Sequence, residues 1–366
     1  GYKVFEVRKG AGRKFPRGPR VSVSVIENRH YRVAVSPRGA VTSLIDKAQG
    51  GREFVGSIDG CCINDLGPGG GTLVAENVGC VSATLRATAE RPLAHTTRVT
   101  LFGDSRRIDI RNEITQGFDD AHAWRFAFNL PSPDVWHEEC GTVLRARPVT
   151  AGGHYATWAA RVDWLTLNHF ADMSAADGVG VTLSNADCCF MKLGGSSCTS
   201  LDANTPQISV LAGGRVGGRG ASGIENQGGD RRFLQRFALR TRAKYSAPEA
   251  MRFALEHQDP LVVGAVTGPA GCYPERSFSL LGISKPQVVL WALKPAEEGI
   301  AHGVIARVWN LADSPVQFAL RFADGVTRAK RTTHIETDLE DAQVTKGALA
   351  ESLAGNLMQT YRLLME

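Results

Sequence analysis

Apolar and polar residues alternate along most of the chain with a period of two. Val21, Val23 and Val25 are separated by Ser22 and Ser24. Tyr31, Val33 and Val35 repeat the pattern ahead of a Pro37-Arg38-Gly39 turn. Trp124, Phe126, Phe128 and Leu130 place four large apolar groups on one face, with Arg125 and Asn129 opposite. Val179, Val181 and Leu183 follow suit, as do Val316, Phe318, Leu320 and Phe322. Successive side chains of a strand point to opposite faces, so each run predicts a half-buried strand. Gly103-Asp104, Asp177-Gly178 and Asp324-Gly325 supply turns between them. Many short strands with frequent turns predict an all-β protein built of sandwiches. One helix interrupts them. Ser246 and Glu249 have capping-box spacing, Ala250, Phe253 and Ala254 recur at helical intervals over 247–257, and Asp259-Pro260 ends the run.

The segment from Pro260 to Pro274 carries three glycines and three prolines and precedes a new set of strands, which predicts a boundary near 265–275. The expected division is a lead-in over 1–20, one β domain over 21–268 and a second over 269–366. The 366 residues are 43% hydrophobic and 22% charged, ordinary for a globular protein. A net charge of +5 is too mild to indicate nucleic acid or an anionic membrane as partner. No apolar run reaches the roughly 18 residues of a membrane-spanning helix. Eight scattered cysteines, two pairs of them adjacent, read as small buried hydrophobes in a reducing, cytoplasmic setting.

Candidate chemistry is sparse. Gly218-Arg219-Gly220-Ala221-Ser222-Gly223 matches a dinucleotide fingerprint, but the Ile224-to-Gly229 stretch after it cannot open a stable helix, so a flexible loop is expected. His169 and Asp172, three apart on a strand, face opposite sides and would not converge on a metal. The neighbouring carboxylates of Glu138-Glu139 and of Asp119-Asp120 cannot flank a glycosidic bond and are expected on solvated faces. The segment from Asp163 to Asp172 mixes Trp164 with Asn168 and His169, the groups of a carbohydrate surface, but a Trp filling the sandwich core is the favoured reading. The most site-like stretch is 226–233, Asn-Gln-Gly-Gly-Asp-Arg-Arg-Phe. Its glycines allow backbone to approach a ligand, and Asp230 and Arg231 could bind hydroxyls.

Several strings in order resemble the carboxy-terminal region of glycoside hydrolase family 38, the α-mannosidases. They are the opening Gly1-Tyr2-Lys3-Val4-Phe5, Val25 to Val33, Gly39 to Lys47, Ile108 to Ile114, Val162 to Asp172 and Gly228 to Phe233. Later come Val289 to Gly299, Arg307-Val308-Trp309-Asn310 and Thr360-Tyr361-Arg362-Leu363. The resemblance covers essentially the whole chain. It implies a large supersandwich of the galactose-mutarotase-like type followed by a smaller β-sandwich. It also implies that the family's zinc ion and aspartate nucleophile, which perform retaining hydrolysis of α-mannosides, belong to an amino-terminal domain upstream of this chain. No catalytic residue or metal ligand, and no cofactor, is therefore expected here. By the same resemblance Gly229, Asp230 and Arg231 are the leading candidates for the rim of the substrate cleft, with His137 and Asp163 behind them. The expected partners are carbohydrate, the chain's own amino-terminal catalytic domain and a second copy in a homo-oligomer. A freestanding carbohydrate-binding module, suggested by Trp136, Trp158 and Trp164, and an epimerase- or lyase-type enzyme on the same supersandwich are the alternatives.

Overall fold

A computed structural model describes residues 1–12, 18–156, 158, 161–216, 223–267 and 271–365. The glycine-rich run 218–222 thus lies outside the described residues. The chain forms two compact units. One comprises Arg13–Ser246 and Phe253–Asp259; the other comprises Gly1–Gly12, Ala247–Arg252 and Pro260–Glu366.

The larger unit holds a nine-stranded and a ten-stranded sheet. In the first, the strands run in the order Thr142–Arg145, Asp134–Glu139, Phe170–Ser174, Gly180–Asn185, Phe233–Arg242, Ile108–Ile114, His95–Phe102, Ser82–Ala89 and Thr72–Val78, every pair antiparallel. The second includes His122–Ala127, Val41–Asp46 and Tyr31–Val35 near its middle. One core fills the space between them. Tyr31, Val33, Trp124 and Phe126 come from one sheet; Leu85, Ile110, Leu183 and Phe237 come from the other. Phe126 meets Phe237 edge-to-face at 5.2 Å, and the Trp124 indole N–H donates to Gln235 Oε1 at 3.2 Å. A buried polar tie also joins the sheets. Asp46 accepts from Thr241 Oγ1 at 2.6 Å and from Arg106 at 2.5 Å, while the Tyr31 hydroxyl lies 2.9 Å from Thr241 Oγ1. Each buried polar atom there has a partner, which removes most of its desolvation cost.

The all-β fold follows the alternation read from the sequence, with three local corrections. Val21 to Val25 is not one strand. Arg20–Ser22 pairs with Val25–Glu27 as a hairpin, and Val23 sits in its turn at φ 38°, 90% exposed. Gly180–Asn185 is buried on both faces rather than one, because Ser184 and Asn185 are covered by His257 and Gln258 from the helix Ala247–Gln258. The helix forms where expected, but Ser246 makes no side-chain cap. Pro248 in the first turn contributes a fixed φ instead.

The smaller unit contains a four-stranded sheet (including Val316–Phe322 and Ala348–Leu353) and a five-stranded sheet (including Val304–Asn310 and Met358–Leu364). Phe318, Leu320 and Phe322 from the one and Val308, Tyr361 and Leu363 from the other share its core.

Candidate functional site

Strand register decides which loops share an end of the nine-stranded sheet. Ile114 is opposite both Phe233 and His95; Asn185 is opposite Phe237; His137 is opposite Ala171. The Cys140-Gly141 turn, Asn168-His169, Ala186-Asp187, the 226–232 loop and Thr115-Gln116-Gly117 therefore all emerge at one end. Three of the five candidate residues, Gly229, Asp230 and Arg231, belong to that set, and His137 stands just inside it.

His137 is fully buried. Its Nδ1 lies 2.9 Å from the Thr166 carbonyl and its Nε2 lies 2.8 Å from the Tyr155 hydroxyl. Burial lowers its pKa to about 4, so the ring is neutral. A carbonyl only accepts, so Nδ1 carries the proton, and Nε2 faces the Tyr155 hydroxyl, whose one proton is shared between it and Glu139. Tyr155 also lies 3.1 Å from Glu139 Oε2, and burial first, then that carboxylate, raises its pKa. Both nitrogens are engaged and no face is exposed, so these neighbours fix the tautomer and position of His137.

On the opposite face of the same strand, Glu138 is buried, against the expectation of a solvated carboxylate. His169 Nδ1 stands 2.7 Å from its Oε2, and the Gly141 N–H donates to Oε1 at 2.6 Å. Alternation thus sends His137 to the inner face and Glu138 to the outer one, where His169 meets it, so the two histidines share no face. Asp119 and Asp120 are exposed, as expected. Asp172 turns away from His169 to Arg242 and Thr182.

Asp163 is buried and bidentate with Arg161 at 2.7 and 2.9 Å, and that guanidinium holds its carboxyl below the usual range. Cys198 Sγ is 3.5 Å away. Trp164 is half-buried and Trp158 is 77% exposed.

The 226–231 loop borders an open concavity. Asn226, Gln227, Gly228 and Gly229 take consecutive positive φ values of 43°, 48°, 64° and 87°, a left-handed turn that only the two glycines adopt without strain. Outside contacts hold it. The Asn226 N–H donates to Asp119 Oδ1, and a Cβ on Gly117 would meet Asn226 Oδ1 at 3.0 Å. Thr115, Gln116, Gly117, Asn226, Gly229 and Arg231 enclose a hollow of about 340 Å³. Asp230 does not line it; its N–H closes the turn onto the Gln227 carbonyl at 3.1 Å. The hollow offers amide, hydroxyl and guanidinium groups to a small polar ligand. Its other wall, 115–117, carried no motif, because nothing in sequence links it to a loop more than a hundred residues away.

Among the described residues no three His, Cys, Asp or Glu side chains are placed to hold a metal ion. All eight cysteines are free. No helix among the described residues is long and apolar enough to cross a membrane.

No family model and no curated protein matches the sequence. Solved structures do. An alpha-mannosidase from Enterococcus faecalis aligns over 93% of this chain and 42% of its own at 15% identity, with a TM-score of 0.68. A protein in the glycosyl hydrolase family 38, also from Enterococcus faecalis, aligns over 97% of this chain and 46% of its own at 15% identity, with a TM-score of 0.69. A galactose mutarotase-like protein from Lactobacillus casei aligns over 59% of the chain at 13% identity, with a TM-score of only 0.36. The chain spans under half the length of either Enterococcus protein. What it shares with them is a fold, over almost its whole length and over the matching part of theirs.

Proposed function

We propose that this chain is the carboxy-terminal, non-catalytic β-sandwich part of a retaining α-mannosidase-type glycoside hydrolase. In this reading it forms one wall of the substrate cleft and supports a zinc-dependent catalytic domain encoded upstream. The observation that carries the proposal is the lopsided alignment: 93–97% of this chain against 42–46% of proteins described as an alpha-mannosidase and as a family 38 glycosyl hydrolase. The ordered strings from Val25 to Leu363 point the same way. No three His, Cys, Asp or Glu side chains among the described residues are placed to hold zinc, so this reading assigns the metal to the upstream domain. The 226–231 hollow, at the loop-rich end of the larger sandwich, is the part of this chain proposed to face the α-mannoside.

Two measurements test this. The reading frame directly upstream of the Gly1 codon should encode an α/β segment carrying His-x-Asp zinc ligands. The chain alone, given an aryl α-mannoside and zinc, should release no product, whereas the full parent should hydrolyse it. Turnover by the chain alone, or an upstream frame without such a segment, overturns the proposal.

A further inference from the structure

Among the described residues, the most exposed large apolar side chains are Val7 at 98%, Leu261 and Val262 at 96% and Val263 at 93%. All four belong to the smaller unit. Single apolar residues are ordinary on a protein surface. Here, however, Leu261 to Val266 is one run, Leu-Val-Val-Gly-Ala-Val, and Val266 is exposed as well. No backbone group of 261–266 is hydrogen-bonded to another described residue, and a Cβ added at Gly264 would meet no atom within 4 Å. The run is thus open on both faces and along its backbone. β-Branched residues in that state have the chemistry of a strand without a sheet. An edge that stays in water is normally guarded by charged residues, yet none occurs between Asp259 and Glu275.

The amino-terminal residues attach nearby. Tyr2–Lys3 pairs antiparallel with Ser277–Phe278, the Val4 N–H donates to the Arg276 carbonyl at 2.8 Å, and the Tyr2 ring lies 5.9 Å from that of Phe278. Polypeptide upstream of Gly1 therefore joins the unit beside 276–278. Ten residues, at most about 36 Å of extended chain, separate Val266 from Arg276. Phe5, just past the paired strand, is 76% exposed. We propose that Leu261 to Val266 is the docking surface for the polypeptide upstream of Gly1, which it joins by strand addition, with Phe5 and Val7 covered by the same partner. That such a polypeptide exists rests on the function proposed above, and this chain matches less than half of either Enterococcus protein. A domain tethered within that reach meets the run at an effective concentration of about millimolar, far above what a second copy supplies in dilute solution. Docking takes the apolar side chains out of water and gives the backbone groups of the run protein partners.

The test is amide hydrogen exchange, read by mass spectrometry, on this chain and on the full parent. In the chain alone, residues 261–266 should exchange as fast as an unstructured peptide. In the parent they should exchange at least about tenfold more slowly. Leu261→Asp/Val263→Asp should leave the urea midpoint of the chain alone unchanged, because both side chains are exposed there, and should return the run in the parent to the fast rate. Fast exchange of the run in a parent that hydrolyses an α-mannoside refutes the inference and leaves the proposed function standing. Slow exchange in a parent with no such activity sustains the inference and refutes the function. Slow exchange in the chain alone overturns the inference, and a dependence on protein concentration would assign the run to a second copy. Protection that survives the double substitution overturns it too, and a reading frame with no upstream polypeptide overturns both.

Discussion

Replacing Arg242 with Leu should be among the most damaging single changes in the larger unit. Asp172 is fully buried and Arg242 nearly so. The guanidinium grips both carboxylate oxygens, with Nε 2.7 Å from Oδ2, and also reaches Ser174 Oγ at 2.7 Å and the Gly178 carbonyl at 3.1 Å. Leucine keeps much of the stem but leaves Asp172 with Thr182 Oγ1, at 2.6 Å, as its remaining donor. Stranding a buried charge in this way costs about 3–5 kcal/mol, a large share of the roughly 5–15 kcal/mol that holds a domain folded. Burial already raises the pKa of Asp172, and Arg242 is the main influence pulling it back. Without Arg242 the folded state holds that proton more tightly than the unfolded chain does. Stability of the variant then falls as pH rises through the unfolded and folded pKa values, so its deficit is larger at neutral pH than in mild acid. Urea unfolding followed by circular dichroism reads both effects. Asp172→Asn in the R242L background removes the stranded charge and should recover at least about 2 kcal/mol of the loss. A deficit under about 1 kcal/mol, or a double variant no more stable than R242L, would refute the reasoning.

His137 should make the protein acid-sensitive. Its pKa falls from the ordinary 6.5 to about 4 on folding, so the unfolded chain takes a proton that the folded state refuses. Stability is then lost as pH drops through that window, by roughly 3 kcal/mol at 1.36 per unit. His137→Gln should flatten the pH dependence of the urea midpoint there; an unchanged slope rejects the buried, neutral ring. Val23→Gly should raise the melting temperature, since a β-branched residue at φ 38° in an exposed turn carries about 1–2 kcal/mol of strain. A lower melting temperature would show that Val23 is not strained.

Much of the architecture can be read along the chain. Tyr31-Val33-Val35 and Trp124-Phe126-Phe128-Leu130 are buried as their alternation predicts, and the helix stops at Asp259-Pro260 because proline cannot continue it. The same alternation misreads Val21 to Val25. Period two says which face of a strand is apolar, and it does not see that a two-residue turn has been placed inside the run. It also misreads Glu138 and Ser184, whose polar character suggested solvent. They are buried because His169 and His257, brought by distant segments, cover them.

The candidate site divides along the same line. Local chemistry marked 226–231 as a loop able to meet a ligand, since its glycines and charges are a property of neighbours in sequence. The facing wall at Thr115 to Gly117 comes from a strand whose only link to that loop is sheet register. Period-two patterning and turn residues, which act over a few positions, determined the strands, the helix and the all-β class. Which loops share an end and which charges find partners were decided by antiparallel pairing across more than a hundred residues, information that no short stretch of sequence contains.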